Sequence, residues 1–253
     1  MDTENEVRPA RQFTLIAPYY DILMGGVPYR QWVDYVEELL ADLGLRPRLV
    51  LDLACGTGMV AQELAARGYD AMGADVSEAM VRQARRRTEV PVCAMDACRL
   101  GFRPAFDLVV CLFDSLNYIV HPQELEAAFR GVYECLLPGG ALIFDLNTPR
   151  ALERNLFTQH NLGRQARLTY DWHSSYDKES RICTVDMRFV WRDGGEVKRF
   201  REIHRQRAHT TREVRAALER VGFERIQVYG YLSHKRPNRW TTRAYYVALK
   251  PRT

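Results

Sequence analysis

No apolar run in the 253 residues approaches the roughly 18 that a membrane-spanning helix needs. The first thirteen residues, MDTENEVRPARQF, are acidic and polar without an apolar core, which excludes a secretory signal and leads us to expect a cytoplasmic protein. Cysteine is sparse: Cys55, Cys93, Cys98, Cys111, Cys135 and Cys183 are scattered, mostly within apolar runs, and form no CxxC pair. That spacing argues against disulfides and a zinc site, so no metal is expected and the thiols read as buried and free. Internal repeats and low-complexity stretches are also missing, which excludes a solenoid or an extended arm.

What remains is the profile of an ordinary globular protein, 47% hydrophobic and 27% charged, long enough for one large domain with an elaboration. The net charge of +4 conceals an uneven distribution. Residues 1–150 carry 14 Lys and Arg against 21 Asp and Glu, whereas residues 151–253 carry 22 against 11. A basic second half suits an anionic small molecule or RNA, and solvated arginines on exposed strands give the same count.

Residues 30–43 place Trp32, Val33, Val36, Leu39, Leu40 and Leu43 at helical spacing. Beyond them, strand-length apolar runs at 49–54, 71–74, 91–95, 107–113 and 141–146 alternate with helical segments at 59–67, 78–87 and 123–137, the pattern of a parallel sheet buried on both faces. After Pro149 the pattern changes. Residues 165–176, 181–192 and 196–208 are long runs rich in Thr, Val, Tyr, Phe and Trp, the last two joined through Asp193-Gly194-Gly195, and they predict an antiparallel block. A helix from Thr211 and strands at 225–232 and 243–249 then return to the first pattern. Four parts are therefore expected: an N-terminal helical cover (1–48), a ligand-binding core (49–150), an antiparallel β insertion or substrate lid (151–210) and the C-terminal part of the core (211–253).

The first strand ends in Asp52-Leu-Ala-Cys-Gly56-Thr-Gly58 and enters a helix, a turn through which a ligand can approach the backbone. Gly56, Gly58 and Ala61 also fit the dinucleotide fingerprint, with Asp75 about 20 residues further on. Asp52 weighs against NAD: a carboxylate beside the turn gains nothing from pyrophosphate but attracts an ammonium or sulfonium group.

In order, "VLDLACGTG", "GADVSEAM", "AMDA", "FDLVVCLFDSLNYI" and "LLPGGALIFDLNTP" resemble the motifs of the class I S-adenosylmethionine-dependent methyltransferases; the likeness covers 13–150 and resumes over 211–249. It implies an α/β, doubly wound Rossmann-like sheet of seven strands, the last antiparallel. It also implies S-adenosylmethionine held by Asp52, Ala54, Gly56 and Gly58 at its methionine moiety, by Asp75 at the ribose hydroxyls, and by Val76, Met80, Met95, Asp96 and Ala97 around the adenine. Position 54 is Ala where many members have Gly. Segment 111–118 should leave the fourth strand beside the transferred methyl group, with Cys111 toward the cofactor and Asp114, Ser115, Asn117 and Tyr118 able to orient an acceptor. "APYYDILMGGVPYRQW" resembles a stretch of small-molecule members in which a tyrosine, here Tyr20, closes over the cofactor.

Period-two spacing sets Glu202, His204 and Gln206 on one strand face. If that face meets the cofactor, His204 could take the acceptor's proton, since an imidazole titrates near neutrality; a surface histidine among arginines is the competing reading. Arg239, Trp240 and Arg243 read either as an anion contact or as a solvated turn. The function expected is methylation of a small molecule at an amino or hydroxyl group, with RNA methylation, a nicotinamide-dependent oxidoreductase and a non-catalytic cofactor sensor as alternatives. The β insertion could cover the substrate or pair with a second subunit as a homodimer.

Overall fold

The computed structural model describes residues 10–154, 156–161 and 166–252. Residues 1–9, which carry most of the signal-sequence argument, and Gln165, first residue of the expected strand 165–176, lie outside the described residues.

Seven strands form the main sheet. In chain order they are β1 (Leu49–Leu53), β2 (Asp70–Asp75), β3 (Val92–Ala94), β4 (Phe106–Cys111) and β5 (Leu136–Asn147); then, after an insertion built from β6 (Gln159–Asn161), β7 (Leu168–Asp177), β8 (Ile182–Asp193) and β9 (Glu196–Arg207), come β10 (Glu224–Gly230) and β11 (Arg243–Leu249). Their spatial order is β10-β11-β5-β4-β1-β2-β3. Pairings among β1 to β5 are parallel, and β11 alone runs against both its neighbours. Six strands in one direction and the last reversed are what the family resemblance implies.

The sheet is buried on both faces because successive residues in its strands point to opposite sides and both are apolar. Val50, Leu108, Val110 and Ile143 meet Trp32, Val36 and Leu40 of α2 (Tyr29–Leu43), which follows the single turn α1 (Tyr20–Leu23), and Leu64 of α3 (Met59–Ala66). The next helix, α4 (Glu78–Arg87), places Val81 and Ala84 against Cys55 and Val92. Leu51, Val109, Leu142 and Phe144 meet Phe129 and Val132 of α5 (Pro122–Cys135). Beyond the short α6 (Pro149–Glu153), α7 (Thr211–Val221) adds Val214 and Leu218 to that second face. Each such Leu, Ile or Phe contributes roughly 1.5–3 kcal/mol by leaving water. Among the described residues no helix is long and apolar enough to cross a membrane.

The insertion is a separate four-stranded antiparallel sheet in the order β6-β7-β8-β9. Asp193 pairs with Glu196 across Gly194 and Gly195, whose φ values of 52° and 90° suit the two-residue turn that matches strand twist. Two expectations needed correction here. Strand β5 starts at Leu136 rather than 141, because pairing of Leu136 with Phe106 across an irregularity carries Pro138 and the two following glycines into the strand. Strand β6, with the polar sequence Gln-His-Asn, was not expected at all; it is exposed and exists through its pairing with β7.

Candidate active site

A cavity of about 520 Å³ lies between the carboxyl ends of β1, β2 and β4 and the inner face of the insertion sheet, and the segment 12–29 closes one side. The glycine turn forms its floor. Ala54, Gly56 and Gly58 all have positive φ, at 60°, 55° and 81°. A Cβ on Gly56 would meet nothing within 4 Å, whereas one on Gly58 would press on Thr88 and Ala84 of the neighbouring chain. Gly56 therefore leaves room for a ligand and Gly58 leaves room for packing. Ala54 pays the strain of a left-handed conformation that glycine would not.

Two carboxylates flank the turn. Asp52 is 2% exposed, and its Oδ2 has no hydrogen-bond partner among the described residues. Burial pushes its carboxyl up to about 8, with the N–H of Ala61 opposing and the nearby Asp75 carboxylate adding to the rise. Asp75 accepts from the backbone N–H groups of Gly56 and Ser77, both at 2.8 Å. Burial raises its carboxyl too, against those two hydrogen bonds. The cap of α4 is Ser77, which accepts from Met80 N–H at 3.3 Å, so Asp75 is free of that duty. Beside Asp75, Val76 lines the cavity with an apolar side chain that is 69% exposed, and Met80 is buried next to it.

The loop after β4 is held under strain. Phe113 and Asp114 take φ values of 68° and 51° in succession. Asp145 fixes them, accepting from the N–H of Phe113 at 2.6 Å and of Asp114 at 3.0 Å. Arg243 then bridges the carboxylates of Asp114, at 2.6 Å, and Asp145, while its guanidinium lies over the rings of Trp32 and Phe113. This arginine lines the cavity with its charge already matched, so it is neither a solvated turn residue nor a free anion contact. Arg239, by contrast, stacks on exposed Trp240 together with Arg150.

On β9 the buried row is Glu202, His204 and Gln206, at 0%, 2% and 4% exposure. The reading of His204 as a surface residue is thereby overturned: arginines 201, 205 and 207 occupy the other face, and His204 lines the cavity. His204 Nε2 lies 2.8 Å from Glu202 Oε2 and Nδ1 lies 3.2 Å from the Tyr118 hydroxyl. The Glu202 carboxylate also accepts four consecutive backbone N–H groups, from Phe13, Thr14, Leu15 and Ile16, at 2.6–3.1 Å. Burial alone would raise Glu202; His204 and these amides outweigh it and hold the carboxyl below its ordinary value. An ionised carboxylate only accepts, so a His204 proton sits on Nε2, and the Nε2–H tautomer presents Nδ1 as an acceptor to the Tyr118 hydroxyl. Burial, and then the Asp114 carboxylate, raise the Tyr118 hydroxyl well above its usual value, which keeps it protonated.

The structure thus brings Tyr20, Asp52, Ala54, Gly56, Asp75, Val76, Met80, Tyr118 and His204 to one cavity. Others of the expected set lie elsewhere. Asn117 does not line the cavity: Nδ2 donates to the carbonyls of Asn147 and Arg207, and Oδ1 accepts from Asn147 N–H, which commits both its amide protons to the backbone. Cys111 is wholly buried among the residues facing α5 and α7. Met95, Asp96 and Ala97 follow β3 beside Asp75, whose carbonyl accepts from Met95 N–H, yet they stop short of the cavity wall, and the exposed Asp96 caps the turn that follows it by accepting from Cys98 N–H. Gly58, between the lining residues Thr57 and Met59, does not itself line the cavity. Sequence reasoning missed Phe13, Trp172, Met187 and Phe189, which line the cavity from the cover and the insertion. The signal for Trp172 was present, since Leu168, Tyr170 and Trp172 share one face of β7 by period two. On the outer face, His160, Asp171 and His173 bring ligand-type atoms within 4.8 Å of one another, and none of them lines the cavity.

These residues fit S-adenosylmethionine. The orphaned Asp52 oxygen suits an ammonium group, Asp75 keeps lone pairs for ribose hydroxyls beyond its two backbone partners, and Val76 with Met80 offers an apolar shelf for a base.

Comparison with known proteins agrees with that fit. A family model described as a methyltransferase domain matches residues 50–140. YqeM of Bacillus subtilis (strain 168), whose name places it among methyltransferases, is 30% identical over 242 residues that cover 94% of this chain and 96% of its own. The dTDP-3-amino-3,4,6-trideoxy-alpha-D-glucopyranose N,N-dimethyltransferase of Streptomyces venezuelae is 27% identical over 213 residues, 81% of this chain and 89% of that one. Among solved structures, an S-adenosylmethionine-dependent methyltransferase from Clostridium acetobutylicum ATCC 824 superposes with a TM-score of 0.83 at 27% identity, over 93% of this chain and 98% of that chain.

Proposed function

The chain belongs to the class I S-adenosylmethionine-dependent methyltransferases, and on that premise we propose that it methylates an amino or hydroxyl group of a small molecule enclosed between the glycine turn and the insertion sheet. The observation that carries this reading is the cavity itself, walled by two sheets and the N-terminal segment and lined on the insertion side by Tyr170, Trp172, Met187 and Phe189. Such a chamber suits a compact acceptor with an apolar face. Trp172 Nε1 is buried without a partner among the described residues, which leaves a donor for a polar atom on that acceptor. The amino-sugar relative supports nitrogen as the acceptor atom.

In this reading Asp52, Ala54, Gly56, Asp75, Val76 and Met80 hold the cofactor. When bound, it supplies a methyl group on a positively charged sulfur, which leaves as a neutral thioether as an acceptor lone pair forms the new bond to carbon. The chain's work is to align that lone pair, exclude water and receive a proton, and alignment of this kind is worth roughly 7–11 kcal/mol in favourable cases. Tyr118 and His204 receive the proton. Tyr20, close to Tyr118 and Asp114, presents a ring to the same space; burial and then the neighbouring Tyr29 and Tyr118 keep its hydroxyl protonated.

The test is transfer of labelled methyl groups from S-adenosylmethionine into a fractionated cell extract by the purified protein. Label in the small-molecule fraction, with a product heavier by one or more methyl groups, is the expected result. Label confined to RNA would overturn the acceptor class, and cofactor binding with no label in any fraction would make the protein a sensor.

A further inference from the structure

One carboxylate, fully buried, holds two things at once. Glu202 Oε1 accepts from the amides of Thr14, Leu15 and Ile16, and Oε2 accepts from the amide of Phe13 and from His204 Nε2. Phe13, whose positive φ of 58° turns its amide inward, also lays its ring against His204 at 4.6 Å and Tyr118 at 5.0 Å. Its carbonyl accepts from Ser77 Oγ at the start of α4, and Ala10 N–H donates to the Arg201 carbonyl, so the same stretch is pinned on both sides of the cavity.

We propose that Glu202 is a positioning residue that makes the proton acceptor and the cover a single unit: it fixes His204 as the Nε2–H tautomer and, through the same two oxygens, clamps residues 13–16 over the cavity. The inference rests on the methyl-transfer reading of the site. Its chemistry is a relay in which the acceptor's N–H or O–H proton passes to Tyr118 Oη while the Tyr118 proton passes to His204 Nδ1. The lone pair freed on the acceptor forms the bond to the methyl carbon, and the pair of the broken carbon–sulfur bond stays on sulfur. The imidazolium so formed faces Glu202, whose charge it balances. Opening the cover removes donors from Glu202 and disturbs the group that orients the base, so proton transfer is confined to the closed site.

Glu202→Gln tests this directly. Its amide oxygen can still accept from Thr14 to Ile16, but its NH₂ then meets two donors, Phe13 N–H and His204 Nε2–H. The imidazole must shift its proton to Nδ1, which reverses the bond to Tyr118 and abolishes the acceptor. In nitrogen-15 spectra of the unliganded protein the resident Nε2–H tautomer should change to Nδ1–H, and hydrogen exchange at Phe13 should accelerate at least tenfold. With an acceptor in hand, kcat should fall at least about 100-fold, as for other misoriented bases, while cofactor affinity stays within twofold. Retention of the Nε2–H tautomer, or unchanged protection at Phe13, overturns the proposal; neither readout depends on methyl transfer, so this failure is distinct from failure of the proposed function. Should Glu202→Gln not fold, Tyr118→Phe leaves Glu202, His204 and the cover intact. It should keep the tautomer and lose kcat, and a rate equal to that of the natural protein would overturn the relay.

Discussion

Replacing Asp52 with Asn should strengthen the fold and nearly abolish cofactor binding, and the two effects share one cause. Burial places the Asp52 carboxyl at about 8 in the unliganded protein, against about 3.9 in an unfolded chain. A folded value raised above the unfolded one means that stability is complete below the unfolded value and is lost as pH rises through the folded one. At pH 7 the shift withholds up to about 4 kcal/mol, which an uncharged isostere returns. Binding an ammonium group reverses the preference, because the ionised carboxylate then has its partner and its orphaned oxygen is satisfied. Cofactor binding must therefore expel a proton, about 0.9 per site at pH 7 for a carboxyl at about 8. Affinity should rise about ninefold from pH 6 to pH 7, a window in which the ligand's own amine stays protonated. Isothermal titration in two buffers of different ionisation enthalpy measures both quantities. Asp75 is raised in the same direction and adds its own slope, so Asp52→Asn should lower the pH dependence by the part that Asp52 contributes. Equal affinities at pH 6 and pH 7 in the natural protein, or an undiminished slope in the variant, would refute the assignment of Asp52 to the ammonium group.

Asp75→Ala should weaken cofactor binding at least 100-fold, since in the proposed reading it deletes the acceptors for the ribose hydroxyls, and it also releases Gly56 N–H and Ser77 N–H; equilibrium binding within threefold of the natural protein would remove Asp75 from the site. Ala54→Gly should leave stability unchanged or raise it by up to about 1 kcal/mol, because relief of the left-handed strain offsets the entropy of glycine in the unfolded chain. A loss of about 1 kcal/mol in urea unfolding would contradict that. His209, 2% exposed with Nε2 donating to the Ile119 carbonyl, is depressed by burial from 6.5 to about 4. Its contribution is present above pH 6.5 and fades as pH falls toward 4, so the natural protein should lose about 2 kcal/mol by pH 5 that His209→Gln does not; parallel pH profiles for the two would disprove it.

The parallel half of the fold was legible because burial on both faces writes itself as continuous apolar runs, and α2, α3, α4 and α5 carry clean helical spacing. The limits of that reading are equally physical. Strand β5 hides its first residues in Leu-Leu-Pro-Gly-Gly, where local preference says turn and only pairing with β4 says strand. Asn117 and Tyr118 are adjacent and equally polar in sequence. One commits both its amide protons to backbone carbonyls, the other faces the cavity, and nothing local distinguishes them. Arg243 looked like a surface cation because its partners, Asp145 and Asp114, lie 98 and 129 residues away. His204 was found by strand periodicity, yet its burial is set by Glu202 and the amides of residues 13–16, nearly the whole chain distant.

Strand β11 lies inside its sheet, between β10 and β5, and follows both in sequence. A ribosome therefore delivers the glycine turn and the carboxylates of Asp52 and Asp75 early, in a form that already has its parallel partners, and delivers Arg243 late, 129 residues after Asp114. Until then the Phe113–Asp114 loop has two buried carboxylates and no counter-charge, and the amides of residues 13–16 wait for a glutamate made some 186 residues later. Contacts of such separation form slowly, and a chain halted before β11 lacks the piece that closes the sheet. A chain that stops before β11 is thus denied the guanidinium that holds the Phe113–Asp114 loop at the cavity, and methyl transfer is expected only once that strand has taken its place.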